Sequence, residues 1–197
     1  MLNFAAQMIA RIILFISGTG SNARQIISYF KGNERIKVVG LLSSKPNEEM
    51  QGFCTNHSVA FYDMTGKDFS SYLKITQDLN ANWIVLAGFL KKVPVELIAA
   101  YPNRIINIHP SLLPNYGGAG MYGKHVHKAV ADAKEAFSGI SIHLVNEEFD
   151  KGLILFQHAV ALPSGANSAE IETKVRALEL AYFAPDLELY LVNPAHS

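Results

Sequence analysis

Arg11-Ile12-Ile13-Leu14-Phe15-Ile16-Ser17-Gly18-Thr19-Gly20-Ser21-Asn22 is the stretch that decides the fold class. The apolar run has no alternation, which fits a strand buried on both faces of a parallel sheet. The glycine-rich tail turns the chain. A helix is expected to follow over residues 22–29, with Ile26 and Ile27 facing inward. A strand, a tight glycine loop and a helix in that order open an α/β unit.

The chain repeats the pattern. Residues 36–42 read as the second strand and end at Ser43 and Ser44; a weakly marked helix over 47–56 and a short strand over 59–62 follow. Residues 68–80 are helical by pattern, with Phe69, Tyr72, Leu73 and Leu79 on one face. Trp83-Ile84-Val85-Leu86-Ala87 is the strongest strand, and Pro94 sits in the first turn of the next helix, which ends near Tyr101. Residues 105–108 form another strand. This alternation predicts a Rossmann-like, mostly parallel α/β sheet flanked by helices. After Pro114 the character changes. Residues 115–123 hold four glycines in nine positions, a loop of close approach. A helix is expected over 124–136, a strand over 139–145, an acidic turn over 146–152 and a hairpin partner over 153–160. The C-terminal part of the sheet is therefore expected to be antiparallel. A last helix is expected to begin at Ser168, whose hydroxyl can cap it, with a stripe of Ile171, Val175, Leu178 and Phe183.

With 197 residues, residues 8–197 are expected to form a single domain, and residues 1–7 an N-terminal extension. Lys plus Arg number 17 and Asp plus Glu number 17, so no basic field points to nucleic acid or a membrane surface. Cys54 is the only cysteine, which excludes an internal disulfide and suggests a reducing, cytoplasmic setting. Arg11 splits the apolar start, so neither a signal peptide nor a membrane span is expected there.

Three features carry chemistry. The first is the loop 18–22: backbone N–H groups at a helix N-terminus bind anions, and glycine lets a phosphate approach. Its tail is rich in hydroxyl and amide groups, and Ser43 and Ser44 stand where a dinucleotide site would place an acid. A terminal phosphate monoester is preferred over NAD. The second is Arg104-Ile105-Ile106-Asn107-Ile108-His109-Pro110-Ser111-Leu112-Leu113-Pro114. Asn107 and His109 are two apart on a strand and share a face, and Pro110 ends the ladder. They then stand at a C-terminal strand edge, where open α/β sheets bind ligands. The third is Asp150, in a turn before Gly152. An Asp that reaches a His orients it and raises its pKa, and an Asn donates to an oxyanion. The plainer readings are a tight turn, a histidine satisfied by a backbone carbonyl beside an asparagine capping a turn, and a turn aspartate. His125 and His127 do not share a helix face, and His57 and His158 have no companions at ligand spacing, so no metal is assigned.

Taken together, Ser17-Gly18-Thr19-Gly20-Ser21-Asn22, Leu86-Ala87-Gly88-Phe89, Asn107-Ile108-His109-Pro110-Ser111-Leu112-Leu113-Pro114 and Asp150-x-Gly152 resemble the phosphoribosylglycinamide formyltransferase family, within the folate formyltransferases. The match in order and spacing runs from about residue 12 to residue 179. The resemblance implies the formyltransferase fold and formyl transfer from 10-formyltetrahydrofolate, as co-substrate and without a metal, to glycinamide ribonucleotide in purine synthesis. It implies a catalytic trio of Asn107, His109 and Asp150, with His109 protonated. Gly20, Ser21, Asn22 and Glu179 are implied for the ribonucleotide. Lys67, Leu90, Lys91, Lys92, Val93, Asn107, Asn146, Glu147, Glu148, Phe149 and Asp150 are implied for the folate. The partners implied are these small molecules, for a cytoplasmic monomer or homodimer. The chain departs from the family in a longer loop over 116–123, in Ile140 before Ser141 and in Lys151 after Asp150.

Overall fold

The computed structural model describes residues 9–193. The expected extension over residues 1–7 lies outside the described residues. The chain divides into two compact units: residues 9–89 with 184–193, and residues 90–183.

The first unit is built on β1 (Ala10–Ile16), α1 (Ser21–Tyr29), β2 (Ile36–Ser43), α2 (Glu48–Asn56), β3 (Ala60–Asp63), α3 (Phe69–Asp78) and β4 (Trp83–Leu86). Its strands lie in the order β3-β2-β1-β4 and all pair in parallel. Five successive residues of β1, from Ile12 to Ile16, have no exposed surface. That is the double-sided burial which an apolar run without alternation requires. Phe15 packs against Tyr72 and Phe89, at ring-centroid distances of 5.3 and 5.5 Å. Asn47 caps α2 by accepting from the Met50 N–H, and Asp68 caps α3 by accepting from Ser71. The N–H of Ser17 donates to the Gly88 carbonyl at 3.0 Å, so the loop after β1 is tied to the loop after β4.

The second unit holds α4 (Val95–Ala100), β5 (Ile105–His109), α5 (Lys124–Asp132), β6 (Phe137–Leu144), β7 (Ile154–Ala161) and most of α6 (Ser168–Leu191). Its strands run β5-β6-β7 and are antiparallel throughout. The expected change from parallel to antiparallel pairing is therefore present. One boundary is corrected. The helix expected to reach residue 136 stops at Asp132, because Lys134 takes a left-handed φ of +54° that no helix continues. The released residues let β6 start at Phe137, earlier than expected. Glycine is required at 139, where a Cβ would lie 2.1 Å from the His158 carbonyl oxygen on β7. Among the described residues no helix is long and apolar enough to cross a membrane.

Candidate active site

The antiparallel register of β5 against β6 sets the chemistry of the second unit. Asn107 lies opposite His143, and His109 opposite Ser141. Opposed residues in an antiparallel pair share a face. Two polar residues of β5 and two of β6 therefore form a square on one face. Asp150, in the turn after β6, reaches this square. Its Oδ2 lies 3.5 Å from His109 Nδ1 and its Oδ1 lies 3.6 Å from His143 Nε2. The side chains of His109, His143 and Asp150 are only 4%, 2% and 11% exposed.

The partners decide where the protons sit. His109 Nε2 donates to the Tyr116 carbonyl at 2.8 Å, which leaves Nδ1 toward Asp150. His143 Nδ1 donates to the Leu144 carbonyl at 2.8 Å, so its Nε2 accepts from Asn107 Nδ2 at 3.1 Å. An amide NH2 has two hydrogens, so Asn107 keeps one to aim at a developing oxyanion. The gap between His109 and Asp150 is long for a hydrogen bond. It becomes an ion pair when Nδ1 takes a proton.

The electrostatics add a cause that the sequence pattern does not carry. The nearby aspartate was expected to raise the His109 pKa. Burial acts in the opposite direction and wins: His109 lies below the ordinary value, although Asp150 and the Tyr116 carbonyl both pull it up. His109 is thus a neutral acceptor rather than a standing cation. For Asp150 burial raises the pKa, yet it is held below the usual carboxylate range. The imidazoles of His143 and His109 beside it and the Gly118 N–H at 2.9 Å together prevail. A buried carboxylate facing a neutral imidazole is a receptor for one proton.

A polar network fixes the segment that closes over this pair. Ser141 Oγ donates to the Ser111 carbonyl, and accepts from the Leu113 N–H at 2.9 Å and from Gln157 Nε2 at 2.8 Å. Gln157 Nε2 also donates to the Leu113 carbonyl. The chain then passes over Asp150 so closely that a Cβ on Gly117 would lie 3.2 Å from Asp150 Cβ and 2.5 Å from Leu113 Cδ2. Gly152 is equally constrained: its Cβ would fall 1.7 Å from the Leu144 carbonyl oxygen. Asp-x-Gly is thus a backbone requirement as well as a chemical one.

The glycine loop belongs to the first unit. Gly20 is the N-cap of α1 with φ +78°, and a Cβ there would meet Met50 Sδ at 2.8 Å. No side chain caps this helix and its first turn carries no acid, so its first N–H groups and the positive end of its dipole suit an anion. Ser21 opens the helix and Asn22 is buried behind it. Beneath the loop, the hydroxyls of Ser17 and Ser44 share a 2.7 Å hydrogen bond, and Asn47 Nδ2 donates to the Gly18 carbonyl at 3.0 Å.

Two expected folate segments meet within the second unit. Lys92 Nζ stands 5.5 Å from the centre of the Phe149 ring, which joins residues 90–93 to residues 146–150. Leu90, Lys91, Lys92, Glu147 and Phe149 are exposed, and Val93 is buried. Asn146 Oδ1 accepts from the Glu148 N–H at 3.1 Å, and Glu148 pairs with Lys151. Glu179 lies half-buried on α6. Lys67 is exposed in the first unit, between β3 and α3. No group of three or more His, Cys, Asp or Glu that could hold a metal is found among the described residues.

The sequence reading missed His143 and the backbone partners Tyr116 and Gly118. A signal for His143 was present: Ser141 and His143 are polar residues two apart on an apolar strand, the same pattern that singled out Asn107 and His109.

The chain as a whole has known relatives. The family model described as formyl transferase matches residues 10–185. A relative in Arabidopsis thaliana, named a chloroplastic phosphoribosylglycinamide formyltransferase, is 36% identical over 174 residues, 84% of this chain and 60% of its own. The chain thus spans 60% of that relative's length. The phosphoribosylglycinamide formyltransferase of Escherichia coli K12 is 30% identical over 87% of this chain and 82% of its own. A crystal structure of the Brucella melitensis protein of that name superposes with a TM-score of 0.83 at 29% identity, covering 94% of this chain and 97% of that one.

Proposed function

The chain belongs to the formyl transferase family, and on that premise we propose that it moves a formyl group from 10-formyltetrahydrofolate to the amine of 5'-phosphoribosylglycinamide. The products are N-formylglycinamide ribonucleotide and tetrahydrofolate, a step of de novo purine synthesis. The observation that carries this reading is Asp150 facing His109 and His143, with Asn107 held beside them. Residues 8–197 act as one formyltransferase domain in this reading, supported by a single family match that runs through both units.

The reaction follows from the protonation states. The substrate amine attacks the formyl carbon, a C–N bond forms, and the carbonyl electrons move onto oxygen. The free N–H of Asn107 stabilises that oxyanion. The amine, now positively charged, loses a proton to neutral His109 at Nδ1, where Asp150 stabilises the imidazolium. The same proton then goes to the leaving folate nitrogen as its bond to the formyl carbon breaks, which returns His109 to its neutral form. Gly20, Ser21 and Asn22 hold the ribonucleotide phosphate, with Glu179 as a further contact. Residues 90–93 and 146–150, with Lys67, receive the folate. No metal enters the scheme. The buried, free Cys54 suits a reducing compartment, the cytoplasm.

Calorimetry with the ribonucleotide and with a folate analogue tests the reading, followed by an absorbance assay of tetrahydrofolate release. Both ligands should bind, and release should require the ribonucleotide. Binding of one ligand only would leave a binding module instead. Release without ribonucleotide would make the protein a hydrolase.

A further inference from the structure

Tyr116 stands at the base of the long glycine loop, with a backbone φ of +57°. That left-handed conformation is an outlier for a bulky aromatic residue. Such strain persists where surrounding bonds over-determine it, and it clusters at functional sites. Three bonds do so here. The Tyr116 carbonyl accepts from His109 Nε2 at 2.8 Å. Two residues later, the Gly118 N–H donates to Asp150 Oδ2 at 2.9 Å. The Tyr116 phenol donates to Glu135 Oε1 at 2.6 Å. One short turn therefore holds both members of the candidate proton pair through its backbone, and one side-chain bond ties that turn to the segment between α5 and β6.

We propose that Tyr116 is a positioning residue for His109 and that Glu135 is its anchor. The phenol–carboxylate bond fixes the turn over residues 116–118. The Tyr116 carbonyl then keeps one His109 proton on Nε2 and reserves Nδ1, which faces Asp150, for the proton that moves. The phenol is hydrogen-bonded to Glu135, and only the Tyr116 backbone carbonyl bonds His109. The bond is a permanent donor, because the Tyr116 pKa is pushed up to about 12, first by the hydrogen bond to Glu135 and then by burial. The bond also ties the base of the loop that departs from the family pattern, residues 116–123, to the segment after α5. A longer loop gives the turn more freedom to drift, and a tie at its base restrains that drift.

The groups that bear on His109 are Asp150 from the turn after β6, His143 on β6, His127 on α5 and the Tyr116 carbonyl. Glu172 on α6 acts on His127 in turn. Asp150 and the carbonyl pull the His109 pKa up, while burial and His143 push it down. Loosening the turn weakens the carbonyl bond, so the His109 pKa should fall.

The test uses the full chain with 13C-labelled histidine. The His109 pKa is read by NMR in the unliganded protein, and kcat, KM and the pH profile are read alongside. In Tyr116→Phe the His109 pKa should fall by about half a unit, and kcat should drop about threefold to tenfold with KM unchanged. Glu135→Gln keeps an acceptor for the phenol and should recover most of both. The double variant should match Tyr116→Phe alone, since one bond is broken once. A His109 pKa identical in Tyr116→Phe and wild type would overturn the proposal, and so would losses that add in the double variant. The proposal rests on His109 as the proton carrier of the formyl transfer. The NMR reading separates the two: a shifted pKa in a protein that transfers no formyl group would sustain the positioning role and remove the assigned reaction.

Discussion

Replacing Asp150 by asparagine removes one negative charge and almost no volume. The Gly118 N–H keeps an acceptor in the amide oxygen, so the turn that crosses residue 150 is preserved. What disappears is the counter-charge for the His109 imidazolium that forms during transfer. The two groups are 3.5 Å apart, with side chains 4% and 11% exposed. At an effective dielectric of about 20, unit charges at that separation attract by about 5 kcal/mol. This attraction exists only after His109 takes the proton, so it stabilises the transition state and not the bound substrates. At about 1.4 kcal/mol per tenfold in rate, the loss in kcat is about three orders of magnitude. KM for both substrates should stay within about threefold. The assay is steady-state release of tetrahydrofolate, with calorimetry on the same variant for ribonucleotide affinity. A kcat reduced by less than tenfold would refute the reasoning, because Asp150 would then not be charged beside a protonated His109 at the barrier.

Three more outcomes follow from named groups. Gly20→Ala forces a side chain onto φ +78°, with its Cβ 2.8 Å from Met50 Sδ and 3.2 Å from Ile16 Cδ1; ribonucleotide affinity should fall about tenfold and stability by about 1–2 kcal/mol, whereas unchanged calorimetry would remove the loop from the phosphate site. Because burial lowers the His109 pKa below its ordinary 6.5, the acceptor is present above that lowered value and kcat/KM should be lost as the pH falls through it; a rate that rises on acidification would restore the protonated-histidine mechanism. The same depression, shared by buried His127, means the unfolded chain binds more protons below about pH 6.5, so the unfolding midpoint should also fall as the pH drops through that region.

How much of this was legible varies by distance along the chain. Local patterns were sufficient for β1, whose unbroken apolar run can only be satisfied by burial on both faces, and for α1, which starts where the glycine turn ends. They were sufficient for Asn107 and His109 sharing a face, because a strand alternates with period two regardless of what surrounds it. They were less reliable at α5, where a single left-handed residue, Lys134, ends a helix that propensity would have continued.

By itself the sequence determined the order of elements, the parallel-to-antiparallel change, the glycine loop and the three candidate catalytic side chains. Only the tertiary structure decided that Asp150 reaches His109 from 41 residues away in the chain, that His143 stands opposite Asn107, and that the Tyr116 carbonyl selects which His109 nitrogen is free. It also decided the sign of the His109 shift. Sequence proximity rules describe bonds between near neighbours, and an aspartate beside a histidine pulls its pKa upward. Desolvation depends on how many atoms of the whole fold displace water from the ring, and no local pattern carries that quantity.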